Sequence, residues 1–355
     1  MLFTYRQHTI AADDIEELYE LDSSFSPLVD FVRQWLTGNK IFQFKTSGST
    51  GKPSIIKIHR TQIETSVKAT ADHLGLKKGE HILLCLSPTY IASIMMAARG
   101  IILNMDVHIV KASANPFDEV QRYPLDFASF VPYQIYHIIS SGKLSILSKI
   151  KNVLIGGAPL NDEAFNELSK LPNNCFMTYG LTETVTHTAL MPIKGDPANA
   201  VFNLLPNLTI GVDDKDCLWI EGAVTRNKRI QTKDVIELKN HKTFKWMGRN
   251  DNIINSGGIK IYSEQVEKLI DVMFKALGLQ NSFYIFGEPD EKLGQRVVLA
   301  VECDAPIEGL LDKIKPALKS QFTKYHIPRG IRFISEFERT PSGKVKRIKP
   351  ISITP

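Results

Sequence analysis

Apolar and polar positions along most of the chain predict strands and helices in turn. Residues 8–38 read as helical: an acidic opening (Asp13, Asp14, Glu16, Glu17) precedes apolar positions at Leu28, Phe31, Val32, Trp35 and Leu36, and Gly38-Asn39 supplies the stop. The run Ile41-Phe42-Gln43-Phe44 predicts a strand over 41–45, and the β-branched residues of Ser54-Ile55-Ile56-Lys57-Ile58 predict another. Thr61 to Leu74 predicts a helix ending at Gly75. His81-Ile82-Leu83-Leu84-Cys85-Leu86 lacks polar alternation, the mark of a strand buried on both faces. A helix over 90–103, a strand near 107–110, a strand and helix at 127–132 and 133–141, a strand at 152–155, a helix at 161–170 and a strand at 175–177 follow. Such alternation predicts a parallel sheet covered on both faces.

From about residue 200 the texture changes to short strands and turns: Leu208 to Ile210, Leu218 to Ile220, Val235 to Leu238, Phe244 to Met247. A helix from Ser263 to Leu277, strands near 282–286 and 297–302, and a helix over 307–322 close the chain. The expected fold class is therefore α/β. A large N-terminal domain over 1–250 carries mostly parallel sheets and a small β-rich part at about 200–248, and a small α+β domain spans 251–355.

Composition narrows the function classes. A formal charge of +5 over 355 residues is too mild to argue for nucleic acid, though it suits anionic small substrates. Cys85, Cys175, Cys217 and Cys303 lie far apart, with neither metal-ligand spacing nor a disulfide framework, which favours a reducing, cytoplasmic setting. The N-terminus lacks the apolar core of a signal peptide, and the greasiest run, Ile91 to Leu103, is too short to span a bilayer and is interrupted by Arg99.

Four stretches carry candidate chemistry. Thr46-Ser47-Gly48-Ser49-Thr50-Gly51-Lys52-Pro53 offers hydroxyls, backbone that can bend close to an anion, and one compact positive charge after a strand. A plain flexible turn is the bland alternative. The Walker phosphate loop is excluded, because Thr46 stands where its first glycine belongs and Pro53 where its hydroxyl belongs. In Tyr179-Gly180-Leu181-Thr182-Glu183 a ring can stack on a base, a hydroxyl can reach a phosphate, and a carboxylate can hold Mg²⁺ together with phosphate oxygens. Gly248-Arg249-Asn250-Asp251 leads into the glycine-bearing run Ile253 to Ile261, which alone reads as a polar linker. Arg339-Thr340-Pro341-Ser342-Gly343-Lys344 alone reads as a basic tail. Gly156 and Gly157 add a small-residue loop at a strand end, where open α/β sheets bind ligands.

In this order, over residues 41–347, these stretches resemble the signature of the adenylate-forming superfamily, which includes acyl-CoA synthetases, luciferases and peptide-synthetase adenylation domains. The resemblance implies an acid–thiol ligase using ATP, Mg²⁺ and CoA, with a small-molecule carboxylate as substrate. No nucleic acid or membrane span is expected, and a homodimer is among the assemblies it allows. It implies that Thr46, Ser47, Gly48, Ser49, Thr50, Gly51 and Lys52 hold the β- and γ-phosphates. Tyr179 would meet the adenine, Thr182 a phosphate, and Glu183 the metal; Asp234 and Arg249 would bind the ribose. Asp251 would be the hinge of a mobile C-terminal domain. Gly258, with Lys260 on the same loop, would let the thiol arm pass, and Lys344 would neutralise charge in adenylation.

Departures are visible too. Lys233 stands in Gln231-Thr232-Lys233-Asp234 where the family has glycine, which puts the local backbone in question. Ser54 replaces a usual lysine and Arg60 an often-seen histidine, leaving Lys57 and Arg60 as cations able to compensate. Relatives carry a longer stretch before the phosphate loop than the 45 residues here, so the front of the large domain is expected to be missing or reduced. Within the superfamily, Ile155-Gly156-Gly157-Ala158-Pro159 ahead of Tyr179 to Glu183 looks most like the o-succinylbenzoate–CoA ligases of menaquinone synthesis. The alternatives are an enzyme loading a separate carrier protein and a non-catalytic nucleotide-binding relative.

Overall fold

The computed structural model describes residues 1–45, 54–120, 124–339 and 345–347. Its main body is a 13-stranded mixed sheet. Six neighbouring strands in one half of the sheet run parallel: Leu2–Tyr5, Asp106–Ile109, His81–Leu84, Leu125–Phe130, Ile150–Ile155 and Asn174–Gly180. The strand His81–Leu84 shows why they lack polar alternation. Ile82 and Leu84 enter one core with Val107, Ile109 and Phe127, while Leu83 points to the other face, into a core with Phe130, Val153 and Ile155. Helices Arg60–Leu74 and Ile91–Leu103 end at residues of left-handed backbone, Gly75 (φ 65°) and Asn104 (φ 53°), which close each last turn.

Past Asn174–Gly180 the sheet turns antiparallel, through His187–Pro192, Phe202–Leu204, Thr243–Arg249, Ile230–Asn240, Cys217–Gly222 and Leu208–Val212. The β-rich part is thus continuous with the main sheet. A separate five-stranded sheet holds Ile253–Ser256, Ile259–Tyr262, Phe283–Asp290, Gly294–Glu302 and Gly330–Ile334. Helices Ser263–Ala276 and Leu310–Gln321 pack with it around Ile254, Ile270, Leu299 and Leu318.

Two expectations are corrected. Residues 8–11 are not helical: His8–Ala11 pairs antiparallel with Leu2–Tyr5 around a turn in which Arg6 takes φ 54°. The helical region begins only afterwards, with a turn at Ala12–Asp14 and helices Glu16–Leu21 and Ser26–Leu36. Nor do Ile41–Lys45 and Ile55–His59 join the large sheet. They form a two-stranded antiparallel sheet of their own, so the phosphate-loop segment connects a hairpin. Phe42 secures that hairpin by packing its ring 5.1 Å from Phe31 and 5.6 Å from Trp35. Among the described residues no helix is long and apolar enough to cross a membrane.

Candidate active site

Two of the expected stretches lie where parallel strands end. Ile150–Ile155 runs into Gly156 and Gly157, and Asn174–Gly180 into Leu181 and Thr182. Gly156 has no room for a side chain, because a Cβ there would strike the Thr178 hydroxyl, and Gly157 sits at φ 91°. A Cβ on Gly180 would meet the Thr186 carbonyl, so the chain doubles back tightly just after Tyr179. Glu183 lies exposed on the short turn Thr182–Thr184. That turn ends in Val185, which is fully buried and held at φ 70°, ψ −59°, while the Thr186 amide donates to the Thr184 carbonyl at 2.9 Å. This is a γ-turn of the strained hand, on a β-branched residue.

Tyr179, expected at the adenine, is 9% exposed. Its ring centroid lies 5.3 Å from that of Phe244 and 5.8 Å from that of Phe202. Its hydroxyl donates to Asp234 Oδ2 at 2.7 Å, and burial, then the Asp234 charge, hold its pKa well above the usual tyrosine value. Asp234 is buried too, with Trp246 Nε1 donating to Oδ1 at 3.3 Å and Arg249 NH1 3.7 Å from the same oxygen. Asp234 and Arg249 are cross-strand partners in register, which is why the two expected ribose ligands meet. Arg249 NH2 lies 3.3 Å from Asp251, and Lys233 Nζ lies 3.1 Å from the same carboxylate oxygen. Lys233 has no left-handed φ; it sits in the strand Ile230–Asn240, within the stretch where that strand's register against Cys217–Gly222 shifts.

Thr46 to Lys52 and Lys344 lie outside the described residues. The chain on either side of Lys344 is firmly rooted: Arg339 and Val345 bridge antiparallel, Arg339 grips Glu302 with both terminal nitrogens at 2.6 and 2.5 Å, and Arg347 grips Glu267 at 2.7 and 2.6 Å. Gly257 and Gly258 (φ 58° and 80°) are the two central residues of the hairpin joining Ile253–Ser256 to Ile259–Tyr262. A Cβ on Gly257 would run into the Tyr325 ring, whereas Gly258 faces open space and Lys260 is exposed beside it. Arg60 is already engaged: its guanidinium stacks 3.9 Å from the Trp35 ring and bonds the Trp35 carbonyl and Glu64.

Sequence reasoning passed over one residue. Arg99, treated there as an interruption in a greasy helix, is 2% exposed and has no carboxylate partner among the described residues. Its neighbours are Thr70 Oγ1 at 3.5 Å, Met96 Sδ at 3.8 Å and the Phe127 face at 5.5 Å, and its Nε has no hydrogen-bond partner. Burial pulls its pKa down to about 10. Thr70 also bonds His187 Nε2 at 2.9 Å, and His187 pairs with Gly180 across the sheet, so Thr70 links the cation to the residue opposite the end of Asn174–Gly180. Burial, then the charge of Arg99, keeps His187 well below its ordinary pKa and so neutral. The available signal was an arginine at a position that the helical pattern assigns to the core.

Magnesium fits the donor set. No group of three or more His, Cys, Asp or Glu side chains able to cage a metal occurs among the described residues. A lone exposed Glu183 is what Mg²⁺ needs when substrate phosphates and water supply its other ligands.

A family model described as AMP-binding enzyme matches residues 36–218, and one described as AMP-binding enzyme C-terminal domain matches residues 280–344. The chain is similar to the 2-succinylbenzoate–CoA ligase of Lactococcus lactis, 23% identical over 334 residues that cover 85% of this chain and 68% of the relative. It is equally similar, at 23% over 342 residues, to the 3,4-dihydroxybenzoate–(aryl-carrier protein) ligase of Bacillus anthracis, covering 95% of this chain and 79% of that one. Among solved structures, an acyl-CoA synthetase (AMP-forming)/AMP-acid ligase II-like protein from Dyadobacter fermentans is 36% identical with a TM-score of 0.62, covering 92% of this chain and 93% of its own. The o-succinylbenzoate CoA synthetase of Bacillus subtilis, in complex with its acyl-adenylate intermediate, shares the fold at a TM-score of 0.72 and 19% identity, covering 86% of this chain and 67% of that one.

Proposed function

The chain belongs to the AMP-binding enzyme family, an AMP-forming acyl-CoA synthetase that uses ATP, Mg²⁺ and CoA, and on that premise we propose that its carboxylate is an aromatic keto-dicarboxylate such as o-succinylbenzoate. The observation that carries the choice is Arg99. A buried guanidinium with no counterion among the described residues is costly, and a second substrate carboxylate delivered beside it would repay the desolvation. The names of the Lactococcus lactis and Bacillus subtilis relatives support the same reading.

In the first step a carboxylate oxygen of the substrate attacks the α-phosphorus of ATP, an acyl-adenylate forms, and pyrophosphate leaves. In the second the CoA sulfur attacks the acyl carbon, the thioester forms, AMP leaves, and the thiol proton passes to solvent. Side chains have no covalent part in either step, so positioning and charge neutralisation are their work. Asp234 and Arg249 would hold the ribose, Tyr179 would border the adenine, Thr46 to Lys52 would bind the β- and γ-phosphates, and Lys344 would neutralise charge growing on the α-phosphate. Glu183 would hold Mg²⁺, whose charge would further neutralise the phosphates.

The test is pyrophosphate release across a panel of acids, with and without CoA. O-succinylbenzoate should give the highest kcat/KM and release should continue through turnovers only with CoA. Preference for a long fatty acid or an amino acid would overturn the substrate. Turnover with an aryl-carrier protein and none with CoA would place the chain with its Bacillus anthracis relative instead.

A further inference from the structure

Lys233 lies one residue before the proposed ribose ligand Asp234, on the strand Ile230–Asn240. Its flanking side chains, Thr232 and Asp234, turn inward and are buried, and Lys233 faces the other way. There its Nζ stands 3.1 Å from Asp251, 18 residues along the chain. Asp251 therefore sits between two cations from adjacent strands, Lys233 and Arg249.

The two cations differ in what else they do. Arg249 divides itself between Asp251 and Asp234, and in the proposed function it must also meet the ribose. No second acidic partner engages Lys233 among the described residues. We infer that Lys233 is a positioning residue for the hinge: its ammonium holds the Asp251 carboxylate against the nucleotide-binding strand, favours the orientation of the C-terminal unit seen in this structure, and so sets the balance between the two half-reactions. When nucleotide engages Arg249, Lys233 keeps the hinge carboxylate compensated. A glycine at this position has no side chain to do so. The inference rests on the reading of Asp251 as the hinge.

Both side chains are about half exposed, at 58% and 44%, so the bond is salt-sensitive and its effect modest. Lys233→Met should change the ratio of adenylation rate to thioester-forming rate (the second measured from supplied acyl-adenylate) by about two- to fivefold. Lys233→Arg should restore the ratio, Asp251→Asn should shift it in the same direction, and adding Lys233→Met to Asp251→Asn should change little more. Raising NaCl should carry the wild-type ratio toward that of Lys233→Met. Orientation is read separately, from electron-spin distances between labels at Ser145→Cys and Glu308→Cys in a Cys303→Ser background. Lys233→Met should lower the population of the interlabel distance expected from this structure. If Lys233→Met leaves both the ratio and the distances as in wild type, or if Lys233→Arg fails to restore them, the inference is overturned. A wild-type chain that releases no pyrophosphate with any acid defeats the proposed function instead, and the spin distances still decide the role of Lys233.

Discussion

Arg347 and Glu267, 80 residues apart in sequence, meet in a two-pronged ion pair at 2.7 and 2.6 Å. Arg347 also bonds the Ser263 hydroxyl at 3.1 Å, and the Ile285 amide donates to Glu267 at 2.8 Å. Burial pushes the Glu267 pKa up, and the arginine opposes that push. The pair ties the segment after Lys344 to the start of the helix Ser263–Ala276 and to the edge of its sheet. Removing the arginine leaves a mostly buried carboxylate without its cation. Arg347→Met should cost about 2–4 kcal/mol, near the lower end of what breaking buried pairs costs. Urea unfolding checks this, and adding Glu267→Gln should recover part of the loss.

The Arg339–Glu302 pair predicts an acid sensitivity of definite sign. Its hydrogen bonds from Arg339 hold the Glu302 carboxyl at about 2, against an ordinary 4.5. A pKa depressed on folding gives stability that is complete above the unfolded value and lost as the pH falls toward the folded one. Stability should therefore decline between pH 4.5 and about 2, and Glu302→Gln should flatten part of that decline. Urea midpoints across this range measure it.

Arg99→Met separates recognition from folding. Loss of a charged hydrogen bond to a second substrate carboxylate should raise KM for o-succinylbenzoate by about 10- to 150-fold. The kcat/KM for benzoate, which lacks that carboxylate, should stay near wild type. Thermal stability should hold or rise, because a buried cation with no carboxylate partner among the described residues has been removed. Equal losses on both acids would assign Arg99 to the core alone.

The proposed roles of Lys344 and Gly258 predict opposite defects. Lys344→Ala should slow pyrophosphate release by about 10²–10³-fold, the scale of one lost charge-stabilising donor. It should still convert supplied acyl-adenylate to thioester at near wild-type rate. Gly258→Leu should do the reverse: among the described residues a Cβ at Gly258 meets nothing within 4 Å, so the added bulk should obstruct the incoming thiol, apart from the strain of φ 80°. Rapid-quench assays of the two half-reactions distinguish them.

Much of this architecture was legible because its signals are local. Buried parallel strands announce themselves as unbroken apolar runs, as His81–Leu84 does, and helix ends carry their own stop at Gly75. The first hairpin was not legible: its turn places an arginine, Arg6, in left-handed backbone, where no glycine marks the reversal. The hairpin around the phosphate-loop segment was read as two strands, but strand direction depends on which edges pair, and no side chain there declares it. At the site, resemblance to family motifs brought out Tyr179, Asp234, Arg249 and Asp251 one by one; their connection through one chain of hydrogen bonds and ion pairs needed the register of Ile230–Asn240 against Thr243–Arg249. Arg99 stayed hidden because its burial, with no carboxylate partner among the described residues, is a fact of three dimensions.

The strained turn at Val185 limits how this protein can vary. Its backbone is held in an unfavourable conformation by packing, since the side chain is wholly enclosed and Thr184 beside it is buried and bonded to the Leu181 and Thr186 carbonyls. Glu183 hangs two residues upstream on the same turn. Mutational drift that loosens the apolar shell around Val185 would let the backbone relax and would carry the carboxylate with it. Core composition behind the sheet and the placement of an exposed acid are then inherited together, and a homologue that changes one is under pressure to change the other.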